Sequence, residues 1–162
     1  MVLNLPSVME LASYVWYTQA CALGVFFEFS DYKRFIERTH EYKDVPSPII
    51  ASLKWFIASI SFLVLYTVLN PYFSIETCYT KEYSEFNYPY RLFFYVVSMT
   101  VKRCFYYNAF CMTTGAVIAS GLGYNGKDKQ TGHNKWDKVI GVYVILIETA
   151  SSPVECLRGW NH

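Results

Sequence analysis

The segment IIASLKWFIASISFLVLYTVLN, Ile49 to Asn70, decides how the rest of the chain is read. It carries one charge, Lys54, near its start, and Pro71 follows its last residue. At about 1.5 Å of rise per residue, a helix of this length reaches across a hydrocarbon core about 30 Å thick. Lys54 lies close enough to one end to extend its ammonium to the headgroups while its stem stays in hydrocarbon. The segment predicts a transmembrane helix over 49–70.

Working outward, VMELASYVWYTQACALGVFFEF (Val8 to Phe29) is of similar length and keeps its charges, Glu10 and Glu28, at its two ends. It predicts a second membrane helix over 8–29. The polar stretch SDYKRFIERTHEYKDVPSP separates the two, and a tyrosine-rich connection, PYFSIETCYTKEYSEFNYP, follows the second. An apolar region from Tyr90 to Gly123 comes next, interrupted by Lys102 and Arg103. It is too long for one straight span, so a single tilted, kinked crossing is expected over 90–120. The charged pair either reaches an interface or faces a polar chamber inside the protein. After a loop over 121–138, VIGVYVILIETA is too short to span as a helix, and 139–162 is expected to be re-entrant or interfacial. The fold class is an all-α integral membrane protein with about three transmembrane helices.

Charge supports this reading. Hydrophobic residues make up 53% of the 162 and charged residues only 17%, gathered in the short blocks between apolar runs. A formal net charge of +1 leaves no basic excess for binding nucleic acid. The 30–48 loop holds Lys33, Arg34, Arg38 and Lys43, and the 121–138 loop holds Lys127, Lys129, Lys135 and Lys138. The 71–89 connection holds only Lys81. By the positive-inside rule the two basic loops are cytosolic and the third faces the other way. The five cysteines form no C-x-x-C pair and no zinc spacing, so neither a disulfide framework nor a metal site is expected. The N-terminus has no basic region and no small-residue cleavage site, which makes it a poor signal peptide.

The stretch GLGYNG, Gly121 to Gly126, fits the G-x-G-x-x-G pattern of dinucleotide sites. That chemistry needs a strand before the glycines and a helix after them to hold the pyrophosphate. Here an apolar run precedes and KDKQTGHNK follows, and the pattern alone does not decide. His40 and His133 each have an aspartate four positions on, Asp44 and Asp137. Three residues intervene where soluble glycerolipid acyltransferases have four, and both histidines sit in charged loops. No Gly-x-Ser-x-Gly elbow, His-Glu-x-x-His pair or P-loop is present.

The ordered series Gly121–Gly126, Trp136–Asp137, Glu148–Thr149 and Trp160–Asn161 resembles the membrane-bound O-acyltransferases (MBOAT), and within them the lysophospholipid acyltransferases. Upstream, LPSVMELASYVW, FFEFSDYKRF and SPIIASLKWF also look like the region preceding that series, so the resemblance covers nearly the whole chain. Against it, the glycines read as a break between a membrane helix and a cytosolic loop, where φ > 0 and close approach are needed. The resemblance implies transfer of an acyl group from acyl-CoA, as co-substrate, to a lysophospholipid such as lysophosphatidylcholine, in the endoplasmic reticulum membrane. It implies no metal or organic cofactor. In the family an intramembrane histidine is the general base and an asparagine assists; the asparagine maps onto Asn161. An uncharged amide there can donate to a developing oxyanion without the cost of burying a charge. Tyr124, Asn125, Trp136, Asp137 and Glu148 are expected to help bind substrate. The family's histidine lies several tens of residues beyond the asparagine, so the chain is expected to be a central fragment. His162, where the family has an aliphatic residue, is not that base. The rival is a small, non-enzymatic membrane scaffold or channel subunit.

Overall fold

The computed structural model describes residues 5–17 and 26–160. Its α-helices are α1 Val8–Val15, α2 Phe29–Ile36, α3 Ile49–Leu69, α4 Lys81–Glu85, α5 Tyr88–Ser120, α6 Val144–Glu148 and α7 Pro153–Gly159. Two 3-10 turns, His40–Asp44 and Ile75–Tyr79, join them, and the described residues form no strand. The chain divides into one unit built from the stretches up to Phe56 and from Phe110 onward, and a second, Ile57–Ala109.

Where the sequence predicts a membrane helix over 49–70, α3 runs from Ile49 to Leu69. Among the described residues it is the one helix long and apolar enough to cross a membrane, and only 11% of its most apolar window is buried. A soluble core helix of that composition would be mostly covered. Ile50, Leu53, Ile57, Ile60, Val64 and Val68 all face outward. Two of its hydroxyls are satisfied within the helix: Ser61 donates to the Ile57 carbonyl at 2.9 Å and Thr67 to that of Leu63 at 2.8 Å. That is what a helix in hydrocarbon requires of its polar groups.

The expected helix over 8–29 is corrected. α1 opens on a capping box, with Ser7 and Glu10 exchanging side-chain and backbone hydrogen bonds, but it ends at Val15. Trp16 leaves helical geometry, Phe26–Glu28 are not helical, and a new helix starts at Phe29; residues 18–25 lie outside the described ones. The cause is aromatic packing. The rings of Tyr14, Tyr17, Phe27, Phe29 and Tyr32 meet mostly edge-to-face at 5.2–6.5 Å. The Tyr14 hydroxyl donates to the Phe27 carbonyl, and that of Tyr17 to Ser120, both at 2.6 Å. Residues that read as lipid-facing thus build a core, with Phe27, Tyr32, Tyr42, Val117, Leu122, Tyr124 and Val139 buried together.

The third apolar region forms one helix where one is expected over 90–120. α5 is a single α-helix of 33 residues, about 50 Å long, that runs through Lys102 and Arg103 without a break. Arg103 donates to Thr100 at 3.0 Å, and the Lys102 ammonium sits over an aromatic face, 5.5 Å from the Phe105 ring centre. Both cations find partners on their own helix. Within the second unit, Ser59 donates to the Asn108 side chain at 2.8 Å, and the rings of Phe73, Tyr83, Phe86 and Tyr90 pack on the buried Phe94. Cys78, Cys104, Cys111 and Cys156 are free thiols.

Candidate functional site

α5 stops at Ser120 because Gly121 takes φ = +98°, a left-handed conformation that glycine adopts without steric cost. The Gly121 N–H turns back to the Ile118 carbonyl at 2.9 Å. Gly123 then passes so close to the helix that an added Cβ would stand 2.8 Å from Ile118 Cγ1 and 3.3 Å from its Cα. A helix precedes the glycines and a hairpin-like loop follows them. This is the wrong setting for a dinucleotide cradle.

Beyond the turn, the chain folds back on itself. The Asn125 N–H donates to the Lys135 carbonyl at 2.9 Å, the Lys135 N–H to that of Gly126 at 2.8 Å, and the Asp128 N–H to that of His133 at 2.8 Å. At the tip, Asp128 Oδ1 accepts the N–H groups of Gln130 and Thr131, both at 2.8 Å. Those two amides, Thr131 foremost, hold its carboxyl below the usual range.

This hairpin gathers four of the sequence-predicted residues. The rings of Tyr124 and Trp136 pack at 5.2 Å, with Tyr124 buried. The Asn125 amide donates to Asp137 Oδ1 at 2.9 Å, and Lys135 pairs with Asp137 Oδ2 at 3.5 Å. Asn125 and Asp137 are exposed, so the pair presents a polar surface over an aromatic base. Glu148 belongs to a different element, as the exposed last residue of α6. α6 and α7 approach closely: a Cβ on Gly159 would lie 2.8 Å from Ile147 Cγ1. The Tyr143 N–H donates to the Gly159 carbonyl at 2.8 Å, and Trp160 bridges to Val142 and sets its ring 5.1 Å from that of Phe110 on α5. The chain is therefore anchored up to the residue before Asn161. Asn161 and His162 themselves lie outside the described residues. His40 and His133 are exposed loop residues. Among the described residues no group of three or more His, Cys, Asp or Glu could hold a metal.

Lys138 is what the sequence did not single out. Its ammonium is only 13% exposed, lies 3.1 Å from Asp31, pairs closely with Glu41, and sits 5.1 Å from the centre of the Tyr42 ring. Burial pushes the Glu41 carboxyl upward, but the Lys138 contacts outweigh it and hold that carboxyl below its ordinary range. Burial, with Asp31 and Glu41 nearby, pushes the Tyr42 phenol up, keeping it neutral as a donor to the Leu122 carbonyl at 2.8 Å. The two basic loops therefore touch. The signal in sequence is weak, since Lys138 and Glu41 are 97 positions apart.

Comparison with known proteins places this arrangement. The family model of MBOAT, the membrane-bound O-acyltransferase family, matches residues 2–162. The chain is 25% identical to the lysophospholipid acyltransferase of Schizosaccharomyces pombe, over 98% of this chain and 32% of that one. It is 27% identical to lysophospholipid acyltransferase 5 of Rattus norvegicus, over 99% and 33%, and 25% identical to lysophospholipid acyltransferase 1 of Arabidopsis thaliana, over 99% and 36%. The chain thus spans about a third of the length of these relatives.

Proposed function

The chain belongs to the membrane-bound O-acyltransferase family, and on that premise we propose that it takes part in acyl-CoA-dependent transfer of a fatty acyl chain to a lysophospholipid, with lysophosphatidylcholine as the preferred acceptor. One observation carries the reading beyond family membership. The segments carrying the motif series each have a defined place in one unit: a glycine-turned hairpin with its Tyr124–Trp136 base and Asn125–Asp137 pair, and a Trp160 anchor leading directly into Asn161.

The chemistry divides accordingly. The Asn161 amide donates to the oxygen that gains charge as the lysophospholipid hydroxyl attacks the thioester carbonyl, a donor fixed in place before reaction. Tyr124, Asn125, Trp136, Asp137 and Glu148 contact substrate. The general base is a histidine that these residues do not supply, so the 162-residue chain alone transfers nothing. Crossings over 49–70 and 90–120 hold it in the endoplasmic reticulum membrane, with the two basic loops on the cytosolic side.

The test is a chimera in which this chain replaces the matching third of the fission-yeast relative, expressed in cells lacking that activity. Membranes are given labelled oleoyl-CoA with lysophosphatidylcholine, lysophosphatidylethanolamine or lysophosphatidylinositol in turn. The proposal expects labelled diacyl product, greatest with lysophosphatidylcholine. Equal use of all three acceptors would overturn the headgroup assignment.

A further inference from the structure

The residue before Asn161 is seated by α5, and the seat has two parts. Phe110 and Thr114 are four positions apart, which puts them on one face of that helix. The Phe110 ring meets the Trp160 ring edge-on, with 5.1 Å between centres and 70° between planes. One turn further along, Thr114 is fully buried; its Oγ1 accepts the Gly141 N–H at 3.1 Å and donates to the Phe110 carbonyl at 2.8 Å. Val142, the next residue after Gly141, forms an antiparallel bridge with Trp160, and the Tyr143 N–H donates to the Gly159 carbonyl at 2.8 Å. A single turn of α5 therefore grips both edges of one short bridge, at Gly141 on one side and at Trp160 on the other.

Between those edges the chain makes its excursion through α6 and α7, which close on each other where Gly159 meets Ile147. The bridge is the base of that excursion, and α5 is what holds it. Thr114 does more there than fill space. A valine has nearly the same shape, but it would leave the buried Gly141 N–H without this acceptor. Asn161 is joined directly to Trp160, and consecutive Cα atoms are fixed at about 3.8 Å. Any shift of Trp160 is therefore passed to the point where Asn161 is attached, and a misplacement of about 1 Å in a reacting group can cost about a hundredfold in rate.

We propose that Phe110 and Thr114 are positioning residues for acyl transfer: together they fix the Trp160 backbone to which Asn161 is joined, and they act on the reaction through that amide. The role rests on the donor function proposed for Asn161. A donor to a developing oxyanion is effective because it is already in place when charge appears. Loosening its attachment removes stabilisation made in the transition state, so the loss falls on kcat and leaves KM nearly as it was.

The experiment uses the chimera with labelled oleoyl-CoA and lysophosphatidylcholine, and takes kcat and KM for each variant. Phe110→Leu stays apolar but loses the ring, and Thr114→Val keeps the shape but loses the hydroxyl. Each is expected to lower kcat about tenfold, with KM within about twofold. Phe110→Tyr and Thr114→Ser keep the ring and the hydroxyl, and are expected to restore kcat to within about threefold. The double variant with Asn161→Ala separates positioning from general destabilisation. Once the amide is gone its placement has no further effect, so adding Phe110→Leu to Asn161→Ala should cost less than about twofold more. Hydrogen–deuterium exchange of the micelle-bound chain reads the seat without turnover: Thr114→Val should speed exchange in peptides covering 139–143 about tenfold. Costs that multiply in the double variant, a rise in KM in place of the fall in kcat, or unchanged exchange in Thr114→Val overturns the positioning role and leaves acyl transfer standing. If Asn161→Ala itself keeps full kcat, the donor assignment fails and the positioning role falls with it. Should Thr114→Val not accumulate in membranes, Phe110→Leu and its double variant decide the matter.

Discussion

Replacing Lys138 by methionine removes the ammonium that joins the hairpin to the 30–48 loop while keeping most of the side-chain volume. The cost follows from burial. Lys138 is 13% exposed and its partners Asp31 and Glu41 are each 21% exposed, so the trio is neither at the surface nor fully enclosed. Exposed pairs contribute at most about 1 kcal/mol, and breaking a fully buried one costs about 3–5 kcal/mol. An intermediate cost of about 2 kcal/mol is expected here, mostly from two carboxylates that lose their shared cation, with Arg34 still 3.4 Å from Asp31. That corresponds to about a thirtyfold rise in local opening. Hydrogen–deuterium exchange of peptides covering 121–140 in the micelle-bound chain reads it directly, because the Lys138 N–H is bonded to the Gly123 carbonyl at 3.3 Å. Lys135→Met is the internal comparison: that pair is about two-fifths exposed on both sides, and its loss should change exchange by less than about threefold. Equal acceleration in the two variants, or none in Lys138→Met, would refute the burial argument.

Other outcomes follow from the same geometry. Gly123→Ala brings a Cβ to 2.8 Å from Ile118, an overpacking cost of about 1–3 kcal/mol, and should lower the midpoint of thermal unfolding. Gly126→Ala meets nothing within 4 Å and should cost only the left-handed backbone, about 1 kcal/mol. Because the Glu41 carboxyl is held below its ordinary range, its contribution is present above that range and is lost as pH falls through the depressed value. Proteolysis of the hairpin should therefore accelerate below about pH 4 in the parent and not in Glu41→Gln. Single cysteines placed in 30–48 and in 121–138 should be labelled from the same face of sealed microsomes and one in 71–89 from the other, and labelling of the first two from opposite faces would break the topology.

How much of this was legible in the sequence depends on how local its causes are. α3 was read to within a residue, because an unbroken apolar run closed by Asn70 and Pro71 specifies a helix locally. The turn at Gly121 was equally legible, since a positive φ after a helix selects glycine. The break in α1 was not: Tyr14 and Tyr17 look like interfacial aromatics until their hydroxyls find partners, and Ser120 is 103 positions from Tyr17. The helical course of α5 was read from its apolar run, but the partners of its two cations were not. Lys102 and Arg103 looked like an interruption, yet Phe105 and Thr100 on the same helix provide their contacts. At the site, the motif order pointed to the hairpin residues, but nothing in the order revealed that Lys138 would tie them to Asp31 and Glu41.

The most direct test of the central claim is the Asn161→Ala substitution in the chimera, measured as labelled oleoyl transfer to lysophosphatidylcholine. Losing one preorganised donor to the oxyanion should lower turnover by about two orders of magnitude, with protein level and membrane insertion unchanged. His162→Ala should change it far less. Full activity in Asn161→Ala, with His162→Ala inert, would contradict the account.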